Sequence, residues 1–288
     1  MDKHTKKILV TGGAGFVGSA IVKRLLDNGH RVHCLDNYDS GLRKNHHDGC
    51  TYYEGDIENI LDFGKYDICY HMAALSRIQP SFHNPTETYR VNTTGTQNVC
   101  EWARKNKAKV IYAGSSSRWH NPMRSPYALA KHMGEEICKM YRKVYNVDTD
   151  IIRFYNVYGP GEIVDGDWAA VIGKWRRQVR DGEKITIVGD GEQKRDFTHI
   201  DDIVNGIIKI TDAPNHSDAW ELGTGKNYSI NEVYLNFKAR FGCDALYLPE
   251  QPGNYRETIR ENNDALEALN WKPKDRLIKY IKELKDEN

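Results

Sequence analysis

The chain has 288 residues, with 41 Lys plus Arg against 40 Asp plus Glu. That length can bury a large core and suits one large lobe or two unequal ones. The near-zero charge balance leaves no basic field for nucleic acid, and no apolar run approaches the ~18 residues of a membrane span.

The N-terminus, Met1 to Lys7, runs directly into a predicted strand, Lys7–Thr11, so a cytoplasmic protein is expected. A helix from Ala14 to Asn28 follows, closed by Gly29, and then a second strand, Arg31–Asp36. Gly13-x-Gly15-x-x-Gly18 lies where the first strand hands over to the helix. Glycines there permit a tight turn and close approach of the backbone to a pyrophosphate, which the helix N-terminus then faces. Asp36 ends the second strand, where a carboxylate accepts hydrogen bonds from an adenosine ribose and repels a 2′-phosphate. The combination predicts a bound dinucleotide, NAD in preference to NADP, although Arg43 and Lys44 lie near enough in sequence to reach a 2′-phosphate.

Further strands are expected at 67–72, 109–113 and 150–154, with a helical stretch at 86–105. Strands alternating with helices indicate a parallel sheet covered on both faces. The strand at 109–113 runs into Ala113-Gly114-Ser115-Ser116-Ser117, which puts Ser115 at the end of a parallel sheet where ligands bind. Ser125-Pro126 supplies an N-cap and a first-turn proline, so a helix begins at Tyr127 and carries Tyr127 and Lys131 on one face. A nearby ammonium lowers a phenol's pKa, and such a tyrosine can take a proton from a hydroxyl as its hydride leaves for the cofactor. The alternative is a core tyrosine beside a solvated lysine, in a chain with 17 tyrosines.

From Gly159 the pattern loosens into shorter elements, which suggests a division near residues 1–158 and 159–288, with the second part interleaved with the last strands. Lys174-Trp175-Arg176-Arg177 and the charged tail from Lys279 are expected to be solvated faces. The six cysteines are scattered, with no metal-ligand spacing and no disulfide framework, so free thiols and no metal are expected.

Several motifs together carry a family resemblance: Thr11-Gly12-Gly13-Ala14-Gly15-Phe16-Val17-Gly18, His71-Met72-Ala73-Ala74, Val91-Asn92-Thr93-Thr94-Gly95-Thr96, the serine run and Tyr127-x-x-x-Lys131. They continue in Arg153-Phe154-Tyr155-Asn156-Val157-Tyr158-Gly159-Pro160 and in the run from Gly189 to Phe197. Across nearly its whole length the chain resembles the extended short-chain dehydrogenase/reductases acting on nucleotide sugars, the NAD-dependent epimerase/dehydratase family. The resemblance implies an α/β Rossmann-type doubly wound parallel sheet with a smaller, interleaved C-terminal substrate-binding lobe. It implies NAD contacts at Gly12, Gly15, Phe16, Val17, Gly18, Asp36 and Asn37, with Asp56 and Ile57 at the adenine. Ala73, Ala74 and Asn92 would border the cofactor or support its strand. Ser115, Tyr127 and Lys131 would form the catalytic set. Ser116, Ser117, Asn156, Arg195 and Arg256 would meet a nucleotide-diphosphate sugar, the two arginines at its diphosphate. A homodimer through the helices at 86–105 and 126–145 is also implied.

Reactions of this family open with oxidation of the sugar's fourth carbon to a ketone. The dehydratases commonly carry Asp-Glu directly after the serine, and the decarboxylases a Glu at the second position; here both are serine, Ser116-Ser117. That favours a 4-epimerase, with a 4,6-dehydratase, a keto-sugar reductase or a non-catalytic NAD sensor as alternatives. Only residues 116–126 separate Ser115 from Tyr127, a shorter connection than is usual, and Trp119-His120 replaces the family's Tyr-Gly. His120 is expected either at the substrate or exposed on that loop.

Overall fold

In the computed structural model, which describes residues 5–285, seven parallel strands form the central sheet. The first four residues of the N-terminal segment and the last three of the charged tail lie outside the described residues. The strands are β1 (Lys7–Thr11), β2 (Arg31–Asp36), β3 (Thr51–Glu54), β4 (Ile68–His71), β5 (Lys109–Ser115), β6 (Thr149–Phe154) and β7 (Trp220–Leu222). Their spatial order is β7-β6-β5-β4-β1-β2-β3, so the winding direction reverses between β1 and β4. This is a doubly wound Rossmann-type sheet, and its ligand crevice is expected at that reversal.

Side chains alternate across the sheet, as pleating requires. Ile8 and Val10 face one core, shared with Ile21 and Val22 of helix α1 (Phe16–Asp27). Leu9 faces the other, shared with Val99 and Trp102 of α2 (Gly95–Asn106) and Cys138 of α3 (Pro126–Tyr145). A third cluster, around Trp175 of α4 (Val171–Arg180) and Phe237 of α6 (Ile230–Phe241), builds the C-terminal lobe. Between these, α5 (Ile200–Ile210) packs on α1, and β7 pairs with β6, so the chain returns to the sheet after residue 159.

The structure departs from expectation in four elements. The first helix begins at Phe16, because Gly12–Gly15 are taken up by the turn. The stretch at 86–105 is three pieces: Pro85–Tyr89, a π-helical turn Arg90–Thr94, and α2. Two strands were unforeseen. β3 is a sheet edge with little burial, and β7 carries a wholly buried glutamate, Glu221, so neither shows a strand's apolar pattern. Among the described residues all six cysteines are unpaired, no cluster of metal-ligating groups exists, and no helix is long and apolar enough to cross a membrane.

A buried charge pair locks α3 onto the sheet. Arg153 of β6 and Glu135 of α3 each leave about 1% of the side chain exposed and meet at 2.8 Å. The same guanidinium reaches Asp218 at 2.9 Å and Glu221 at 3.5 Å. Breaking a buried pair leaves an uncompensated charge in a low dielectric. Arg153→Met should therefore lower the unfolding free energy by about 3–5 kcal/mol, read from urea denaturation midpoints. A loss below about 1 kcal/mol would mean that water already screens the pair.

Candidate active site

A cleft of about 1020 Å³ crosses the C-terminal ends of β1, β2, β4 and β5 and continues beneath the C-terminal lobe. Its floor is the glycine turn. Gly12 sits at φ +69, and a Cβ there would lie 2.7 Å from the backbone nitrogen of Ala73. A Cβ on Gly18 would stand 2.0 Å from the Gly12 carbonyl. Only glycine fits these positions, and Gly15, the N-cap of α1, makes no side-chain cap, so the helix's first N–H groups stay open. A bare helix N-terminus over a side-chain-free turn fits a dinucleotide's pyrophosphate.

Asp36 lines the cleft and clips the turn to β2. Its carboxylate accepts from the Ala14 N–H at 2.8 Å and the Tyr38 N–H at 2.9 Å. Asn37, Asp56 and Ile57 continue the same wall. Arg90 grips Asp56 at 2.9 Å and holds its carboxyl below the ordinary range, while Asp56 caps the turn Ile57–Asp62. Ala73 and Ala74 line the opposite wall, with Phe16 and Val17 between. Asn92, expected near the cofactor, is absent from the lining. It is buried, accepting from the Leu75 N–H at 2.8 Å and donating to the Leu75 carbonyl at 2.9 Å, and so fixes the segment after Ala74 from behind.

At the other end Ser115, Tyr127 and Lys131 converge. Ser125 caps α3 by accepting from the Ala128 N–H, with Pro126 in the first turn, and this cap aims Tyr127 at β5. The Tyr127 hydroxyl donates to Ser115 Oγ at 3.4 Å, and Lys131 Nζ donates to the Ala113 carbonyl at 2.8 Å. Burial pushes the Lys131 ammonium down to about 8 and raises the Tyr127 phenol. The Ser115 hydrogen bond and the charge of Arg77 oppose that rise. The lysine was expected to stabilise the phenolate; the groups that oppose the rise are Ser115 and Arg77, and Lys131 is bonded to the Ala113 carbonyl. Ser116 and Ser117 complete this end of the cleft.

Asn156 and Arg195 line the lobe side. Asn156 donates to the Asp196 carbonyl at 3.2 Å. Arg195 donates to the Lys194 carbonyl at 2.8 Å but meets no carboxylate among the described residues, and burial lowers it to about 10. Arg256 does not join it. Its guanidinium lies outside the cleft, largely exposed, and pairs with Asp190 at 2.8 Å. Gln251 and Tyr255 face the cleft in that region. His120 stacks on Tyr255 at 3.9 Å and 11°, outside the lining, where burial lowers its pKa.

Several ionisable lining residues were missed: Lys174 and Arg177 line the cleft and Trp175 between them is buried, although that run was expected to be a solvated face, and two further residues stand nearer the chemistry. Arg77 and Glu162 belong to no motif and fall in irregular segments, which offer no periodicity to read. Burial pushes the Glu162 carboxyl up to about 7, although Arg176 lies 3.1 Å away.

A model of the NAD dependent epimerase/dehydratase family matches residues 8–229. The putative UDP-glucose 4-epimerase of Methanocaldococcus jannaschii is 32% identical over 96% of both chains. Among solved structures, a UDP-glucose 4-epimerase from Thermotoga maritima, with UDP-glucose, superposes with a TM-score of 0.89 at 28% identity over 96% of both chains. A UDP-glucuronic acid 4-epimerase from Bacillus cereus, in complex with UDP-glucuronic acid and NAD, gives 0.86 at 25% identity, over 95% of this chain and 96% of that one. Decarboxylases occur among the relatives as well.

The depressed Lys131 pKa makes stability depend on pH. Between about 8 and the ordinary 10.5 the unfolded chain holds a proton that the folded chain has lost. Stability of the cofactor-free protein therefore rises with pH across that window, and below it the full cost of burying the ammonium remains. Between about pH 7.5 and 9.5, wild type should gain about 2 kcal/mol relative to Lys131→Met in urea unfolding. Equal changes in the two proteins would refute this assignment.

Proposed function

We propose that this chain, which belongs to the NAD-dependent epimerase/dehydratase family, is a nucleotide-sugar 4-epimerase. Its cofactor is NAD. The observation carrying the reading is the convergence of Ser115, Tyr127 and Lys131 beside Ser116 and Ser117, where elimination or decarboxylation would call for carboxylates.

The chemistry NAD supplies when bound is reversible hydride transfer at the sugar's fourth carbon. Tyr127 takes the proton from that carbon's hydroxyl, with Ser115 hydrogen-bonded to the same oxygen, and returns it after the sugar has turned. The positive charges that favour its phenolate are Arg77 and the oxidised nicotinamide. Lys131 holds the nicotinamide ribose. Arg195 and Asn156 hold the diphosphate, a task suited to a half-buried guanidinium without a carboxylate partner. Ser116 and Ser117 are neutral and leave the ketone no adjacent acid–base pair, so hydride return is its simplest fate. The glycine turn, Asp36, Asn37, Asp56, Ile57, Ala73 and Ala74 hold the dinucleotide. On this reading residues 1–158 bind NAD and 159–288 mainly bind substrate.

We place the enzyme in the cytoplasm, in keeping with its unpaired thiols. We also infer a homodimer through α2 and α3. Met133, Met140 and Val144 recur at helical spacing on α3 and are exposed, as are neighbouring Met123 and Tyr145. Met140→Glu with Val144→Glu should convert a dimer to a monomer in light scattering; a monomeric wild type would overturn the inference.

A panel of UDP-, dTDP-, GDP- and CDP-sugars, followed by NMR and mass spectrometry with NAD present, tests the reaction. An isobaric 4-epimer is expected. Loss of water or of carbon dioxide, or net consumption of reduced cofactor, would replace the assignment with dehydratase, decarboxylase or reductase. Tyr127→Phe should reduce turnover by about 10²–10⁴ while NAD stays bound. Unchanged turnover would remove the mechanism.

A further inference from the structure

Arg77 occupies the start of the short helix Ile78–His83, in extended backbone at φ −136, just beyond the Ala73–Ala74 wall. Its Nε donates to the Trp168 carbonyl at 2.9 Å and its Nη1 to the Ser76 carbonyl at 3.2 Å. Both acceptors are neutral backbone groups, so they fix the plane of the guanidinium without cancelling its charge. Among the described residues no carboxylate pairs with it, and Nη2 makes no hydrogen bond. Other arginines differ: Arg90 meets Asp56, Glu58 and Glu87, and Arg153 meets Glu135, Asp218 and Glu221.

Arg77 also lies within electrostatic reach of Tyr127 and Glu162. Tyr127 is neutral at rest. Glu162 accepts through Oε1 from Arg176 at 3.1 Å and from the Tyr280 hydroxyl at 3.3 Å, its Oε2 has no hydrogen-bond partner, and burial pushes its carboxyl up to about 7. Burial lowers the Arg77 pKa, and Glu162 opposes that shift without forming an ion pair with it. Among the described residues the cleft therefore holds two guanidinium groups without an ion-pair partner. Arg195 answers the diphosphate on the reading above, and Arg77 is left beside the catalytic tyrosine, where the pyranose would sit.

We propose that Arg77 is a specificity-determining residue that pairs with a carboxylate on the pyranose, so that the preferred substrate is a nucleoside-diphosphate hexuronic acid. The inference rests on the nucleotide-sugar reading. A guanidinium fork with a free Nη edge matches a carboxylate in charge and in planar geometry. A neutral hydroxymethyl group would leave the desolvated charge unpaired. The acid would survive the reaction, because Ser117 stands where the decarboxylases carry a glutamate. Inversion at the fourth carbon leaves it untouched.

Titration calorimetry on the NAD-loaded protein with UDP-glucuronic acid, UDP-glucose and UDP tests this. Wild type should bind UDP-glucuronic acid more tightly than UDP-glucose. Arg77→Gln should lower the uronate-to-hexose affinity ratio by about 10–100-fold, the size of one charge-assisted pair. Arg77→Lys should restore part of that ratio; its retained charge makes it the second variant should Arg77→Gln fold poorly, which thermal melting would detect. Equal weakening of all three ligands would move Arg77 to the diphosphate and overturn the proposal. A wild-type preference for UDP-glucose, or an unchanged ratio in the variants, would do the same. If the ratio responds as expected but no 4-epimer forms from any ligand, the reaction assignment fails and the pairing stands.

Discussion

The catalytic end of the cleft depends on the buried pair between Arg153 and Glu135. Glu135 lies one helical step beyond Lys131 and two beyond Tyr127, at intervals of four, so all three share one face of α3. The guanidinium on β6 draws that face onto the sheet, and the same carboxylate lies 3.5 Å from the Ser115 N–H at the end of β5. One ion pair thus sets the helix carrying the tyrosine and lysine against the strand carrying the serine. Buried pairs add little net stability over an apolar contact, but they are directional and intolerant of displacement. The 3.4 Å contact between Tyr127 and Ser115 is a consequence of that register.

The rest of the site is organised by desolvation. Lys131 and Arg195 are both held below their ordinary pKa values by burial, and each is bonded to a carbonyl rather than a carboxylate. Arg77 follows the same pattern. Carbonyl anchors orient a cation while leaving its charge for a ligand, whereas carboxylate anchors, as at Arg90, consume it. Cations held in this way line the cleft of a protein with almost no net charge. Global composition conceals this because most acids pair with cations elsewhere, as Glu101 and Asp181 do on outer helix surfaces and helix ends, while Asp36, Asp56 and Glu162 share the cleft.

How much of this was legible in the sequence follows from how local each signal is. The glycine turn, the strand-end position of Asp36 and the Ser125-Pro126 cap are each written within a few residues, and the structure puts the turn, Asp36 and the Tyr127 that follows the cap at the cleft. β7 was not legible, because Glu221 is buried only through partners from elsewhere: the Tyr155 hydroxyl at 2.9 Å and the Glu261 N–H at 2.7 Å. Arg256 illustrates the opposite error. Its position in the sequence suggested the diphosphate, but Asp190, on a distant turn, already holds it at the surface. Asn92 was expected to border the cofactor or to support its strand, and the π-helical turn that carries it directs its amide to the Leu75 backbone, behind the lining.

The short connection from Ser115 to Tyr127 explains why sugar specificity lies beyond any local motif. Beyond Ser116 and Ser117, which line the cleft, it turns away: Arg118 reaches Glu136 at 3.0 Å, and the Trp119 indole donates to buried Glu221. The segment closing the sugar end instead comes from residues 251–255. Gln79 donates to the Pro252 carbonyl at 2.8 Å and Arg124 to the Asn254 carbonyl at 2.9 Å, while Gly253, at φ +78, packs where a Cβ would stand 2.8 Å from Ile78. Tyr255 then stacks with His120, so the connection supports the cover from outside. A pocket walled by the turn after β4 and a strip some 175 residues away, as counted between Gln79 and Pro252, encodes its preference in the tertiary fold. Arg77, on the first of those segments, bonds only to backbone carbonyls, and that arrangement exists only once the fold has formed.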